Sequence, residues 1–203
     1  MMAKTAFPAL AKNISMTMTP MVFTARMMKQ ADPDARMCFI GPCAAKKLEA
    51  NRKSVRSDVD YVLTFEELQG MFDAKDIDFN TLEADPEDGL NEGTAMGRGF
   101  AVGGGVAAAV VEAISHIDPT REVKIEYGDG LRECKKMLMM AKAGKRNGYL
   151  LEGMACPGGC VAGAGTITPV RESTMNVEKF KKEAAEVSCT ASPFVDRLKD
   201  VEE

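Results

Sequence analysis

The stretch YLLEGMACPGGC, Tyr149 to Cys160, decides how this chain is read. Its first half, residues 149–154, is a mostly apolar run of strand length. It runs directly into Cys156 and Cys160, which stand four apart with Pro-Gly-Gly between them. Pro157 fixes one bend, while Gly158 and Gly159 permit dihedrals closed to other residues and let backbone approach a bulky ligand. A disulfide, a metal and a redox pair can all use two thiols so placed, although the spacing is not the Cys-x-x-Cys of zinc ribbons or thioredoxin-like sites. The same order recurs upstream in RMCFIGPCAAKK, Arg36 to Lys47, where a short apolar strand over 36–40 meets Gly41-Pro42 and then Cys43. In α/β sheets, ligands gather beyond the carboxyl ends of strands. Both loops are therefore expected at one sheet edge, which would bring Cys43, Cys156 and Cys160 together.

Working outward, the pattern reads as helices over 3–13 and 19–30, the latter opened by Thr19-Pro20 as cap and first helical residue. Residues 43–51 are polar and lysine-rich. Residues 59–63 give a second strand, and Thr64 with Glu67 forms a capping box that opens a helix to about 74. The acidic, aperiodic stretch 76–91 reads as surface loop, its segment 83–88 as solvated. A glycine-rich segment, 92–105, leads into a helix over 104–117. A strand at 122–127, a turn at Gly128-Asp129-Gly130, a helix over 131–143, the strand 149–154 and a last helix over 176–187, capped by Asn176, complete the order. Strands alternating with helices predict an α/β fold, with a mostly parallel sheet of about four strands flanked by helices.

The chain has 203 residues, 45% hydrophobic, with formal net charge -4 and a pI near 5.3. That suits one domain or two small lobes, with a real core, and argues against a nucleic-acid partner, which needs a basic face. No run approaches the roughly 18 apolar residues of a membrane span, and residues 1–16 lack the core of a signal peptide. A cytoplasmic location is expected. There, the six cysteines are not a disulfide framework. Fifteen methionines read as core filler. Residues 97–105 lack the lysine of a phosphate loop. His116 reads as a surface or capping side chain, and Cys38, Cys134 and Cys189 as buried or neutral thiols. Iron–sulfur clusters are bulky groups that take thiolate ligands and are tuned by charge around the sulfurs, and Lys46 and Lys47 beside Cys43 would favour thiolate.

The two cysteine loops resemble signature motifs of the iron-only, or [FeFe], hydrogenases. That family carries a Met-Pro-Cys-x-x-Lys-Lys segment and a later Met-Ala-Cys-x-Gly-Gly-Cys-like segment. Here they read Gly41-Pro42-Cys43-Ala44-Ala45-Lys46-Lys47 and Met154-Ala155-Cys156-Pro157-Gly158-Gly159-Cys160. The segment from Asp58 to Thr64 with Glu67-Leu68, and Phe100 with Gly104-Gly105-Val106, are similar too. The resemblance covers about residues 5–165. It implies one lobe of the catalytic domain, a single partial domain over 1–203 with a helical extension at 166–203. It implies a [4Fe-4S] cubane joined through one cysteine to a diiron unit with carbonyl, cyanide and dithiolate ligands, together called the H-cluster. Cys43 and Cys156 would hold the cubane and Cys160 would bridge it to the diiron unit. Lys46 would hydrogen-bond a cyanide, Met154 would pack near the diiron unit, and Pro42 would shape the pocket. The implied reaction interconverts H2 with protons and electrons.

The chain also departs from the pattern. The family's fourth cubane cysteine belongs to a Thr-Ser-Cys-like motif preceding the segment that resembles Phe7-Pro8, and the chain carries no such motif. The missing N-terminal part of the domain is thus an expected partner, and these residues alone are expected to be inactive, with little or no cluster. Gly41 stands where methionine is usual, Gly103 where threonine is, and Ala162 to Ile167 replace an Asn-Gly-Gly-Gly-Gln-Pro-like run. Those departures suit a divergent or hydrogen-sensing branch. Further expected partners are an electron carrier such as ferredoxin, or a signalling protein, and a second copy joined through exposed apolar surface. The alternative is an iron–sulfur relative, for cluster assembly or electron transfer, without the diiron unit.

Overall fold

The computed structural model describes residues 2–83 and 92–197. Among them lie α1 (Met2–Ala6), α2 (Pro20–Ala31), β1 (Cys38–Ile40), α3 (Ala45–Ala50), β2 (Tyr61–Leu63), α4 (Phe65–Asp73), α5 (Ala95–Arg98), α6 (Gly105–Ile117), β3 (Lys124–Asp129), α7 (Gly130–Lys142), β4 (Tyr149–Met154) and α8 (Val170–Lys182), with short 3₁₀ turns between. The expected α/β class holds, and both strand pairings are parallel. The single sheet does not hold: β1 pairs with β2, and β3 with β4, as two separate two-stranded sheets. Each pair is linked through its own crossover segment, containing α3 in one case and α7 in the other. Strand and helix patterns give the elements but not which strands pair.

The chain divides into two compact units. One comprises residues 18–92, 163–169 and 193–203, and the other 1–17, 93–162 and 170–192. In the first, α2 buries Met21, Val22 and Ala25 against Val59, with Met37, Phe39 and Val62 packed around them. Fully burying one such side chain is worth about 1.5–3 kcal/mol. Arg26 and Lys29, on the same helix, reach Asp58 and Asp60 at 3.0 and 2.8 Å. The Thr64–Glu67 capping box is formed, with both reciprocal bonds present.

In the other unit, α7 seats on the β3–β4 sheet over two glycines. Gly128 and Gly153 are register partners. A Cβ on Gly128 would lie 2.8 Å from the Cys134 backbone, and one on Gly153 would lie 3.0 Å from the Cys134 Sγ. A side chain at Gly128 would lift the helix off the sheet, and one at Gly153 would displace the Cys134 thiol. Cys134 and Met137 fill the resulting contact and are buried.

Several expected boundaries move. The helix over 3–13 breaks at Phe7-Pro8 into α1 and a 3₁₀ turn, because the residue before proline is driven out of the helical region, and Phe7 has φ -133° and ψ 58°. Residues 45–50 are helical despite their polar reading. The turn at Gly128-Asp129-Gly130 is instead the end of β3 running straight into α7. The last helix begins at Val170, so Asn176 lies inside it rather than at its cap. Of the acidic stretch 76–91, residues 84–91 lie outside the described residues, as do 84–88 of the segment 83–88. No helix among the described residues is long and apolar enough to cross a membrane.

Candidate functional site

β4 ends at Met154, and the loop after it is held by its own backbone and by two neighbours. The Gly159 amide donates to the Cys156 carbonyl at 3.0 Å, closing the turn between the thiols. Gly158 and Gly159 both have positive φ, 96° and 94°, which only glycine adopts at low cost. Gly159 is also where backbones touch: a Cβ there would lie 2.6 Å from the Gly103 nitrogen and 2.8 Å from the Ala101 oxygen. The Gly103 amide in turn donates to the Gly158 carbonyl at 3.3 Å. Asp129 Oδ1 accepts the Gly158 N–H at 2.7 Å. Cys160 opens a 3₁₀ turn.

Behind this loop, Glu152 crosses to the start of α6. Its oxygens accept the amides of Gly104 at 3.1 Å and Ala107 at 2.6 Å. Gly104, the N-cap of α6 at φ 86°, has no side chain with which to do so. The carboxylate replaces a cap and opposes the positive end of the helix dipole.

The other cysteine loop belongs to the other unit. The Gly41 amide donates to the Leu63 carbonyl at 3.0 Å, continuing the β1–β2 ladder past its last pair. A side chain at Gly41 would meet the Phe39 ring at 2.8 Å, so the ring occupies the space a methionine there would need. The Pro42 carbonyl accepts the Gly165 amide at 3.0 Å, and the Gly165 carbonyl accepts from Glu66 at 3.2 Å. The two lysines expected to bias Cys43 are both engaged by carboxylates. Lys46 Nζ lies 2.8 Å from Glu49, whose other oxygen accepts from the Thr19 hydroxyl at 2.6 Å. Burial pushes the Glu49 carboxyl up, but these two hydrogen bonds and the charges of Lys46 and Arg52 together outweigh it and hold its pKa below the ordinary value. Lys47 bridges Glu67 at 2.7 Å and the Val62 carbonyl at 3.1 Å, tying the loop to the capping box of α4. Lys47, followed by the Thr64 amide, keeps Glu67 below the usual carboxylate range.

Thus Cys156, Cys160 and Met154 sit on or beside one loop, while Pro42, Cys43 and Lys46 sit on the other. Among the described residues, no three His, Cys, Asp or Glu side chains gather as a metal-binding group. None of the six cysteines is in a disulfide. Cys134 is buried, and burial pushes its thiol pKa up; Cys38, expected to be buried or neutral, is exposed on β1. Thr94 donates to Cys189 Sγ at 3.8 Å. His116 is exposed and reaches Glu112 one turn back at 2.7 Å.

Sequence reasoning passed over Asp129, Glu152 and Glu49. Glu49 carried a usable signal, three residues after Lys46 on a helix. Asp129 did not, because its flanking glycines read as a turn. Nor did Glu152, whose partners lie 45 and 48 residues away.

A family profile described as the iron only hydrogenase large subunit, C-terminal domain, matches residues 1–164. The chain is 30% identical over 202 residues to the periplasmic [Fe] hydrogenase large subunit of Nitratidesulfovibrio vulgaris, covering 80% of this chain and 48% of that protein. It is 26% identical over 222 residues to iron hydrogenase 1 of Clostridium pasteurianum, covering 88% and 38%. It is also 30% identical over 190 residues to a probable cytosolic Fe-S cluster assembly factor of Drosophila persimilis, covering 70% and 39%. The chain thus spans about half, or less, of the length of these curated relatives. Among solved structures, a variant of [FeFe]-hydrogenase HydA1 from Chlamydomonas reinhardtii superposes with a TM-score of 0.74 at 19% identity, over 98% of this chain and 68% of that one, a likeness of fold.

Proposed function

The chain belongs to the iron-only hydrogenase large-subunit family, as its C-terminal domain, and on that premise we propose that it forms part of a site interconverting H2 with protons and electrons. The observation that carries this is the Cys156–Cys160 turn, two thiols on a glycine backbone held at Gly158 from both sides. The donor set fits an iron–sulfur group in kind, because such groups take thiolate ligands and the loop carries two thiols. Cys43 and Cys156 would hold the cubane, and Cys160 would bridge it to the diiron unit. When bound, the group supplies the iron and the electron storage for the reaction.

The chain's own residues shape that site. Lys46 spends one of its three N–H donors on Glu49, leaving others to donate to a cyanide ligand. Met154 and Pro42 would wall the diiron unit. Ferredoxin or a signalling protein is the electron or information partner in this reading, and the cytoplasm its compartment. Exposed apolar side chains such as Tyr61 and Tyr127 are available for a second copy to cover.

Infrared spectroscopy of the matured, full-length protein tests the proposal. Carbonyl and cyanide bands with hydrogen evolution from a reduced dye are expected, and their absence overturns it. A second reading is an iron–sulfur relative without the diiron unit. The assembly-factor relatives favour it. A cubane electron-paramagnetic signal without carbonyl or cyanide bands would decide for that reading.

A further inference from the structure

Asp129 ends β3 and occupies the N-cap of α7, where an aspartate ordinarily accepts an N–H from its own helix's first turn. Here it makes no such bond, although its backbone is extended as a cap requires, with φ -97° and ψ 104°. Its Oδ1 instead accepts the amide of Gly158, 29 residues away, at 2.7 Å. The first turn of α7 forgoes a local acceptor so that this carboxylate can hold the loop on the neighbouring strand.

The loop is seated there twice. Gly130 has φ 85°, and a Cβ on it would lie 3.2 Å from Pro157 Cγ, so the β3–α7 junction also leaves room for the proline. The Gly158 carbonyl is taken from the other side by the Gly103 amide. Two of the three residues between the thiols therefore rest on Asp129-Gly130. Without the carboxylate, the Gly158 N–H would turn to water and its peptide would be free to rotate.

We infer that Asp129 is a positioning residue: acting through Gly158, it holds the Cys156–Cys160 turn ready to place one ligand on both thiols before any ligand arrives. Its importance for cluster binding rests on the function proposed above; the positioning itself does not. The acceptor oxygen does the holding, and its negative charge strengthens the bond to the amide.

Phenylarsine oxide tests this in the reduced, iron-free chain. One molecule condenses with two thiols, forming two As–S bonds and releasing one water, so its affinity reads how well the pair is set. Asp129→Ser keeps a cap for α7 as good as aspartate, but its shorter side chain does not reach Gly158. Asp129→Asn keeps an acceptor oxygen and loses the charge. Asp129→Ser is expected to weaken arsenical binding about five- to tenfold, the scale of one hydrogen bond, with a smaller loss in Asp129→Asn, which keeps an acceptor oxygen without the charge. Cys156→Ser abolishes the bridge at this loop and so identifies the pair. Parental affinity in Asp129→Ser, or equal loss in both Asp129 variants, overturns the inference. No iron enters this measurement, so its outcome is separate from that of the infrared experiment.

Discussion

The carboxylate of Glu152, on β4, lies 2.6 Å from the amide nitrogen of Ala107, in the first turn of α6. With its second bond to Gly104, it locks a helix start to the strand that delivers Cys156. Glu152→Ala leaves two amides without their acceptor. Each hydrogen bond to a charged group is worth about 1.5–3 kcal/mol, so a loss of at least about 3 kcal/mol in urea unfolding is expected. Glu152→Gln should lose less, since one oxygen remains to accept.

Gly159→Ala tests the close approach of the cysteine loop to Gly103. The new Cβ meets backbone atoms at 2.6 and 2.8 Å, at a φ of 94°. The positive φ alone costs about 1–2 kcal/mol, and the contact adds to it because backbone, not a flexible side-chain end, must move. Unfolding should show more than about 2 kcal/mol of destabilisation, with faster exchange of the Gly159 amide. Gly70→Ala is the control: a Cβ there meets nothing within 4 Å.

Cys134 should be the slowest of the six thiols to alkylate in the folded chain. Burial raises its pKa, so the thiolate is scarce where access is also poor. Cys38, exposed on β1, should label early. Mass spectrometry after timed iodoacetamide treatment at pH 8 reads the order. Equal labelling of Cys134 and Cys38 would contradict the packing of α7.

Asp60 gives the unit containing α2 an acid limb. The Lys29 hydrogen bond, then the Met37 amide, lower its pKa from 3.8 to about 2. A carboxyl lowered on folding stabilises the fold above its unfolded pKa, and that contribution is lost as pH falls from about 4 towards 2. Urea midpoints taken at pH 6, 4 and 2.5 should fall over that window. Asp60→Asn should flatten the acid limb, lowering stability at pH 6 more than at pH 2.5.

What the sequence made legible was local. The strand 149–154 stands where its apolar run put it, and the Thr64–Glu67 box formed because both partners lie within one turn. What it hid depends on distant chain. Asp129 looked like part of a glycine turn because the acceptor role of its carboxylate is set by Gly158, on another strand. The pairing of β1 with β2 alone could not be read from a three-residue strand, whose pattern is compatible with any neighbour. Cys43 and the Cys156–Cys160 pair share a strand-then-thiol order, but the one sheet edge expected from it does not exist, because their strands belong to different sheets. Gly41 looked like a loss until the Phe39 ring was found in the space.

The facing glycines at 128 and 153 carry a consequence for how this chain can drift. Both are empty because of one residue, Cys134, which lies over them. A side chain at 128 must shift α7 and one at 153 must displace the Cys134 thiol, and once Cys134 has moved, the second substitution meets less resistance. The two substitutions should therefore be less than additive. Sequence change at 128, 134 and 153 is then coupled: a bulkier residue at one is tolerated only after the others have adjusted, and the three positions move through evolution as one.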